Sequence, residues 1–161
     1  MPFIGIISEE KSENYIRREL LEKLKINESN VLFIKEKSID NIKNIKFETV
    51  LLTREFKNIK ALKKLLENTK YLIVNTDLKN NLKFLSELDL TVITYGFNSK
   101  STLTVSSAIE DKVIICLQRD IADKNKNIVE AQEFEVKCDK NSINDAMGVT
   151  AILIIYGKIT D

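Results

Sequence analysis

Three residues near the start of the chain have the types and the spacing of a phosphate-binding loop. In the stretch GIISEEKS, Gly5, Lys11 and Ser12 occupy three of the four defining positions of the pattern GxxxxGK[ST]. In such a loop the lysine and the hydroxyl contact the phosphates and their magnesium ion, and backbone N–H groups surround the anion. The first turn of the chain is therefore the first candidate for nucleotide-binding chemistry.

The fourth position of the pattern is Glu10 instead of a glycine. A glutamate brings a β-carbon and a negative charge to the place of a polyanion, and like charges repel strongly in a site that excludes water. A second interpretation is that Ser8 caps a helix whose first turn carries Glu9 and Glu10, where carboxylates favour the helix dipole. These residues alone leave both interpretations open.

The composition excludes several kinds of active site. The 161 residues include no histidine, which removes histidine-based triads, general bases and metal sites. With 25 Lys and Arg against 24 Asp and Glu, no general attraction to nucleic acid or to an anionic membrane is expected.

Cys116 and Cys138 lack CxxC spacing and indicate reduced thiols in a cytoplasmic protein. No basic region precedes the first apolar run and no apolar run has the length of a membrane span, so neither a signal peptide nor an anchor is expected.

Short apolar runs alternate with helical patterns through the first two-thirds of the chain. Helices are predicted around Leu20, around Leu65 with Asn58 as N-cap, and through Leu82, Leu85 and Leu88. The stretch between residues 35 and 48 is too weakly patterned to assign. Alternating strands and helices predict a parallel sheet with right-handed crossovers. The predicted strands are 3–7, 31–34, 49–53, 71–75 and 91–95.

The pattern changes after residue 96. Residues 103–117 predict an antiparallel hairpin, residues 120–130 a polar loop, Phe134 and Val136 a further short strand, and residues 143–156 a helix that is apolar on nearly all sides. No linker or repeat divides the chain, so we expect one domain over residues 1–161. The expected fold class is α/β: a Rossmann-like or P-loop-type, mostly parallel sheet flanked by helices, with an antiparallel hairpin towards the C-terminal end.

Three further segments follow the first turn in a fixed order. They are VNTD at 74–77, VITYG at 92–96, and NSINDA at 141–146 before an apolar helix that ends in Tyr-Gly. In this order they resemble the Asn-Ala-Asp-Asp turn, the strand ending in Tyr-Gly and the H-N-x-x-N-A helix of one family. That family is the ATP-binding central domain of the Mur ligases, the peptidoglycan amino-acid-adding enzymes, with their folylpolyglutamate synthase relatives. The resemblance covers nearly the whole chain and implies that domain's fold.

Carried over residue by residue, the resemblance implies a remnant nucleotide pocket. Lys11 would be the phosphate-loop lysine, Ser12 the hydroxyl that helps to hold magnesium, and Asn144 the asparagine that contacts adenine. Ser8 completes the set of candidate cofactor-binding residues. None of the four is expected to be catalytic.

Other family positions are substituted in this sequence. Ile7 and Glu10 stand where the family has its two loop glycines, and Leu78 replaces the second carboxylate of the Asn-Ala-Asp-Asp turn. The family's T-N-x-x-x-D-H segment would fall at residues 53–56, which contain neither Asn nor His. The resemblance therefore implies a ligase core without its catalytic residues and without a metal site.

Three functions remain open on the sequence. The first is a catalytically inactive Mur-ligase-like domain that acts as a binding or regulatory module in bacterial, cytoplasmic cell-wall metabolism. Its partner would be a cell-wall enzyme or a wall precursor, and it would need no cofactor beyond weak binding of ATP and magnesium. The second is an ATP-binding protein or small phosphotransferase with a divergent phosphate loop, in which Asp77 or Glu55 lies near a metal. The third is a structural domain with unrelated contacts. Nucleic acid and membrane are not expected partners, and the oligomeric state stays open.

Overall fold

The structure is a computed structural model that describes residues 2–42, 44–78 and 82–159. Its helices are α1 (Glu10–Leu24), α2 (Ile59–Leu66) and α3 (Ile143–Ile155). Its strands, in chain order, are β1 (Phe3–Ile7), β2 (Val31–Phe33), β3 (Phe47–Leu52), β4 (Tyr71–Asn75), β5 (Thr91–Tyr95), β6 (Leu103–Ile109), β7 (Lys112–Leu117), β8 (Ile121–Ala122), β9 (Ile128–Val129) and β10 (Gln132–Lys137).

Within the described residues, eight of these strands form one sheet in the order β10-β7-β6-β5-β4-β3-β1-β2, and β8 and β9 form a separate ribbon. Strands β1 to β5 are parallel to their neighbours. Strand β6 is parallel to β5 but pairs with it only at Tyr95 and Leu103, whereas β7 is antiparallel to both β6 and β10. The prediction of a mostly parallel α/β sheet with an antiparallel hairpin towards the C-terminal end is confirmed.

The sheet buries both of its faces at β1, β3 and β4, because these strands are mainly apolar on both sides. Ile4 and Ile6 of β1 point to a core that includes buried residues of α1 and α3, whereas Ile7 points to the opposite core, which includes Leu62 and Leu66 of α2. Helix α3 is buried on nearly all sides because it lies between the sheet and α1. No helix of the described residues has the length and apolarity needed to cross a membrane.

Two predicted elements differ from the structure. The helix predicted through Leu82, Leu85 and Leu88 is only a short 3₁₀ helix, Lys83–Glu87. A spacing of three residues matches the three residues per turn of a 3₁₀ helix, so these leucines pack on one core without an α-helix. The polar loop predicted at 120–130 contains the β8–β9 ribbon, whose turn is closed by the Asp123 carboxylate accepting from the backbone N–H groups of Asn125 and Asn127. The unassigned stretch contains a 3₁₀ helix, Glu36–Ile42.

Candidate functional site

The carboxyl ends of the parallel strands form the edge at which an open α/β sheet binds ligands. The strand order reverses there, because β2 lies on one side of β1 and β3 on the other. Helix α1 begins at this edge directly after β1, and α3 begins beside it, since Asp145 in its first turn lies against Ser12 of α1. Two helix N-termini therefore meet where the sequence predicts the remnant nucleotide pocket.

Only Ser8 and Glu9 separate β1 from α1. Glu9 is the N-cap residue in an extended conformation and makes no side-chain capping bond, and the Ser8 hydroxyl donates to the Glu9 carbonyl at 3.3 Å. The interpretation of Ser8 as the helix cap is therefore wrong. Ile7, at the position of the family's first loop glycine, belongs to β1, is 1% exposed and pairs with Leu52. The connection is a short, direct turn.

The charged residues at the start of α1 form ion pairs with other side chains of this chain. Lys11 places its ammonium 3.2 Å from a carboxylate oxygen of Glu9, and its side chain is 84% exposed. Glu10 accepts from the Lys35 ammonium at 3.1 Å. Exposed pairs of this kind add little to stability, but they cancel the positive charge that would attract a polyphosphate.

The first turn of α3 carries the other predicted residue. Asn144 is exposed and its side chain makes no hydrogen bond to other described residues, while its neighbour Asp145 is 8% exposed. Burial raises the pKa of the Asp145 carboxyl, and a hydrogen bond with the Ser12 side chain opposes that rise. The structure thus brings Lys11, Ser12 and the α3 turn to one edge of the sheet, but Ser12 contacts a carboxylate of this chain.

Tyr95 is a residue of this edge that the sequence analysis did not select. It ends β5, its side chain is 0% exposed, and its hydroxyl has no hydrogen-bond partner within the described residues. Burial raises the pKa of Tyr95, and the nearby carboxylates of Asp145 and Asp77 raise it further. Its signals in the sequence were its place at the end of the predicted strand 91–95 and within the segment VITYG.

The ends of β4 and β5 are joined by a dense set of hydrogen bonds. Asp77 accepts from the backbone N–H of Phe97 at 3.1 Å, and the Asn98 amide donates to Thr76 at 2.8 Å. Gly96 has φ 158°, and a β-carbon there would lie 2.6 Å from the Thr76 hydroxyl oxygen, so this close approach requires glycine. The Asp77 carboxylate thus holds the turn after β5.

The metal arrangement of the second hypothesis has limited support in this geometry. Glu55 is exposed in the segment after β3, and one Asp77 oxygen already accepts from the backbone of Phe97. Among the described residues there is no group of three or more Cys, Asp or Glu side chains with the arrangement of a metal site.

Comparison with protein-family models and with curated proteins gives no match to this chain. The resemblance to the Mur ligases therefore stays a prediction from the four short sequence segments.

Replacing Asp145 by asparagine should change how stability depends on pH. The folded state raises the pKa of this carboxyl above its ordinary value of 3.8. The contribution of Asp145 to the free energy of unfolding therefore falls as pH rises from that value through the folded pKa. The Asn variant lacks this titration, so its free energy of unfolding should rise relative to the parent from about pH 4 upwards. Urea unfolding between pH 3.5 and 7 measures the difference.

The substitution Asp89→Asn, at an exposed aspartate, controls for the loss of one negative charge. If the difference in free energy of unfolding between Asp145→Asn and the parent stays constant with pH, the fold does not raise the pKa of the Asp145 carboxyl.

Proposed function

We propose that this chain is a catalytically inactive Mur-ligase-like domain, with a Rossmann-like or P-loop-type sheet, that acts as a binding or regulatory module in cytoplasmic cell-wall metabolism. The observation that carries the proposal is the turn between β1 and α1. This turn is two residues long. At the start of the helix that follows it, Lys11 pairs with Glu9 and Glu10 pairs with Lys35. The proposed partner is a cell-wall enzyme or wall precursor.

The placement of the resembling segments supports the relationship to the Mur ligases. Residues of VNTD, VITYG and NSINDA all lie at the carboxyl edge, together with the first turn, although they are far apart in the chain. The four segments are spread over about 140 residues of the sequence, so their meeting at the carboxyl edge is a result of the fold. This is the arrangement expected of residues that once surrounded one ligand.

The chemistry of the turn supports binding over catalysis. Phosphoryl transfer needs a metal, a lysine and backbone donors that act together on the transferred group. Here Glu9 and Glu10 directly precede Lys11 at the start of α1, Lys11 pairs with Glu9, and Ser12 is engaged by Asp145. The lysine and the hydroxyl that should hold a phosphate thus face carboxylates of this chain.

One observation favours the second candidate, an ATP-binding protein or small phosphotransferase with a divergent loop. The Tyr95 hydroxyl is buried near the N-terminus of α3 and has no hydrogen-bond partner in the part of the chain that the structure describes. A buried polar group without a partner costs free energy, and a ligand with an acceptor group at this edge would remove that cost. This candidate therefore predicts nucleotide binding that depends on Tyr95.

The melting temperature in millimolar Mg·ATP tests both candidates. At a ligand concentration equal to Kd the stabilisation is only about 0.4 kcal/mol, whereas at one hundred times Kd it is about 2.7 kcal/mol. For a domain of this size the second value corresponds to a shift of roughly 5–10 °C. We expect essentially no shift for the parent, because Glu9 and Glu10 repel the phosphates.

The double variant Glu9→Gln, Glu10→Gln should gain affinity, and Lys11→Ala in that background should remove the gain. Glu22→Gln, at an exposed position further along α1, is the matched control. A shift of several degrees in the parent that disappears in Lys11→Ala and in Tyr95→Phe would establish the second candidate and overturn the first.

A further inference from the structure

The sheet has a gap beside β5. Strand β6 meets β5 only at Tyr95 and Leu103, so among the described residues most of β5 has β4 on one side and no strand on the other. The chain leaves β7 with a hydrogen bond from Gln118 N–H to the Thr102 carbonyl and continues along the far side of the gap. A cavity of about 480 Å³ lies between them, lined on the β5 side by Thr91, Val92 and Ile93 and on the other by Arg119, Ile121 and Ala122. Since β7 is two strands from β5, the gap is one strand wide.

The backbone of β5 presents free hydrogen-bonding groups to this gap. The N–H of Thr91 donates to Lys70 and the carbonyl of Tyr95 accepts from Thr76, so the odd-numbered residues bond on the β4 side. The even-numbered residues face the other way, as the bond from Gly96 N–H to the Leu103 carbonyl shows. The N–H and carbonyl of Val92 and the N–H of Thr94 therefore point into the gap, and no described residue bonds them.

The exposure of the side chains agrees with a missing neighbour. Successive residues of a strand point to opposite faces, yet Thr91 and Val92 are both exposed, and Val92 is 38% exposed. Strand β5 lies fourth from one end of the eight-stranded sheet and fifth from the other. An unpaired interior strand is a template for another strand.

The rim of the gap is positively charged. Arg119, Lys124 and Lys126 line it together with one acid, Asp123. Lys124 forms an ion pair with Glu48 at 3.4 Å, whereas the side chain of Lys126 makes no hydrogen bond or ion pair with any described residue. The acids beside them are engaged within the chain: Asp123 accepts from two backbone N–H groups of its own turn, and Asp120 accepts from the N–H of Ala131 at 2.8 Å. Three basic side chains against the carboxylates of Asp123 and Glu48 leave the lining with a net positive charge, which favours an acidic occupant.

We propose that this gap binds an extended, acidic peptide segment of another protein, which adds as a short strand to the free edge of β5. Main-chain bonds to Val92 and Thr94 supply affinity that is independent of sequence, and the basic rim selects acidic side chains. The site lies at a different place from the turn between β1 and α1, so it stands whether or not that turn binds nucleotide.

The probe is a fluorescein-labelled peptide, Gly-Glu-Val-Glu-Thr-Glu-Val-Gly, followed by fluorescence anisotropy. Two matched peptides serve as controls: one with lysine in place of glutamate, and one with N-methylated amides at alternate residues, which cannot donate main-chain hydrogen bonds. The acidic peptide should bind saturably, and each control should bind at least about tenfold more weakly.

Two pairs of variants distinguish the contribution of main-chain hydrogen bonds to peptide binding from the contribution of charge. Val92→Pro removes an N–H that faces the gap and none of the bonds to β4, so binding should weaken by about tenfold, whereas Val92→Thr keeps the N–H and should bind like the parent. Lys126→Glu should weaken binding, and Lys60→Glu, an exposed lysine in α2, should not. If Val92→Pro does not fold, the N-methylated peptide tests the same bonds.

Amide hydrogen exchange by NMR gives a readout that needs no variant. Val92 and Thr94 should exchange quickly in the free protein and slowly with the acidic peptide, while Ile93 stays protected throughout. Three results would overturn the proposal: no binding at millimolar peptide, equal binding of the lysine peptide, or protection of Val92 in the absence of peptide. Protection that increases with protein concentration would instead assign the gap to a second copy of this chain.

Discussion

Replacing Leu51 by alanine should lower the free energy of unfolding by about 2–5 kcal/mol, which is the largest effect that we expect from a single substitution. Leu51 is 0% exposed in β3 and lies under the centre of α3. A β-carbon at Gly148 of α3 would lie 2.8 Å from the nearest Leu51 methyl carbon, so these two residues determine how closely the helix approaches the sheet. Urea unfolding measures the change.

The variant Gly148→Ala tests the same contact from the other side. In the parent, the new methyl group meets Leu51, and the strain offsets the gain of about 1 kcal/mol in helix propensity. In the Leu51→Ala background the methyl group enters the vacated space, so the same substitution should restore part of the lost stability. Equal effects of Gly148→Ala in both backgrounds would contradict this packing.

The substitution Tyr95→Phe should raise the free energy of unfolding by about 1–3 kcal/mol, because it removes a buried hydroxyl that has no partner. Tyr156→Phe is the matched control with the opposite sign. The Tyr156 hydroxyl forms a hydrogen bond of 2.8 Å with Thr49, and its removal should cost about 0.5–1.5 kcal/mol. Thermal unfolding of both variants under the same conditions measures the two changes.

A loss of stability in Tyr95→Phe would mean that the hydroxyl has a hydrogen-bond partner in solution. A ligand that bonds this hydroxyl should reverse the order of the two proteins, so that the parent becomes the more stable one in its presence. Thermal unfolding of the parent and of Tyr95→Phe therefore also detects compounds that bind at the carboxyl edge, even when the natural ligand is not known.

The main elements of the fold could be predicted from the sequence. Strands β1, β3 and β4 are mainly apolar runs because both of their faces are covered, and the largely apolar sequence of α3 reflects its position between α1 and the sheet. Asn58 could be identified as a helix cap because its side chain bonds a backbone N–H only three residues away, that of Ala61. Signals of this kind are local in the chain.

The short helix Lys83–Glu87 shows where local reasoning fails. Leucines spaced by three fit both a 3₁₀ helix and an α-helix, and the choice between them depends on packing against β4 and α2. A sequence pattern does not contain that information.

The candidate site also combines features that the sequence shows with features that depend on the tertiary structure. The spacing of Lys11 and Ser12 is visible in the sequence, but their partners are set by the tertiary structure: Glu10 pairs with Lys35, and Ser12 contacts Asp145. The unpartnered hydroxyl of Tyr95 is likewise a property of its surroundings. The gap beside β5 depends on the point at which β6 begins to pair, which no residue type indicates.

The position of α3 also sets the order of events during synthesis. This helix supplies a large share of one core, yet its residues follow every strand of the sheet along the chain. At about 5–20 residues per second, the ribosome needs roughly 3–12 s to pass from the end of β5 at Tyr95 to Ile155, and until then the faces of β4 and β5 that α3 covers stay open to water. An uncovered apolar sheet is aggregation-prone, so the nascent chain depends on rapid completion or on chaperone protection for that interval.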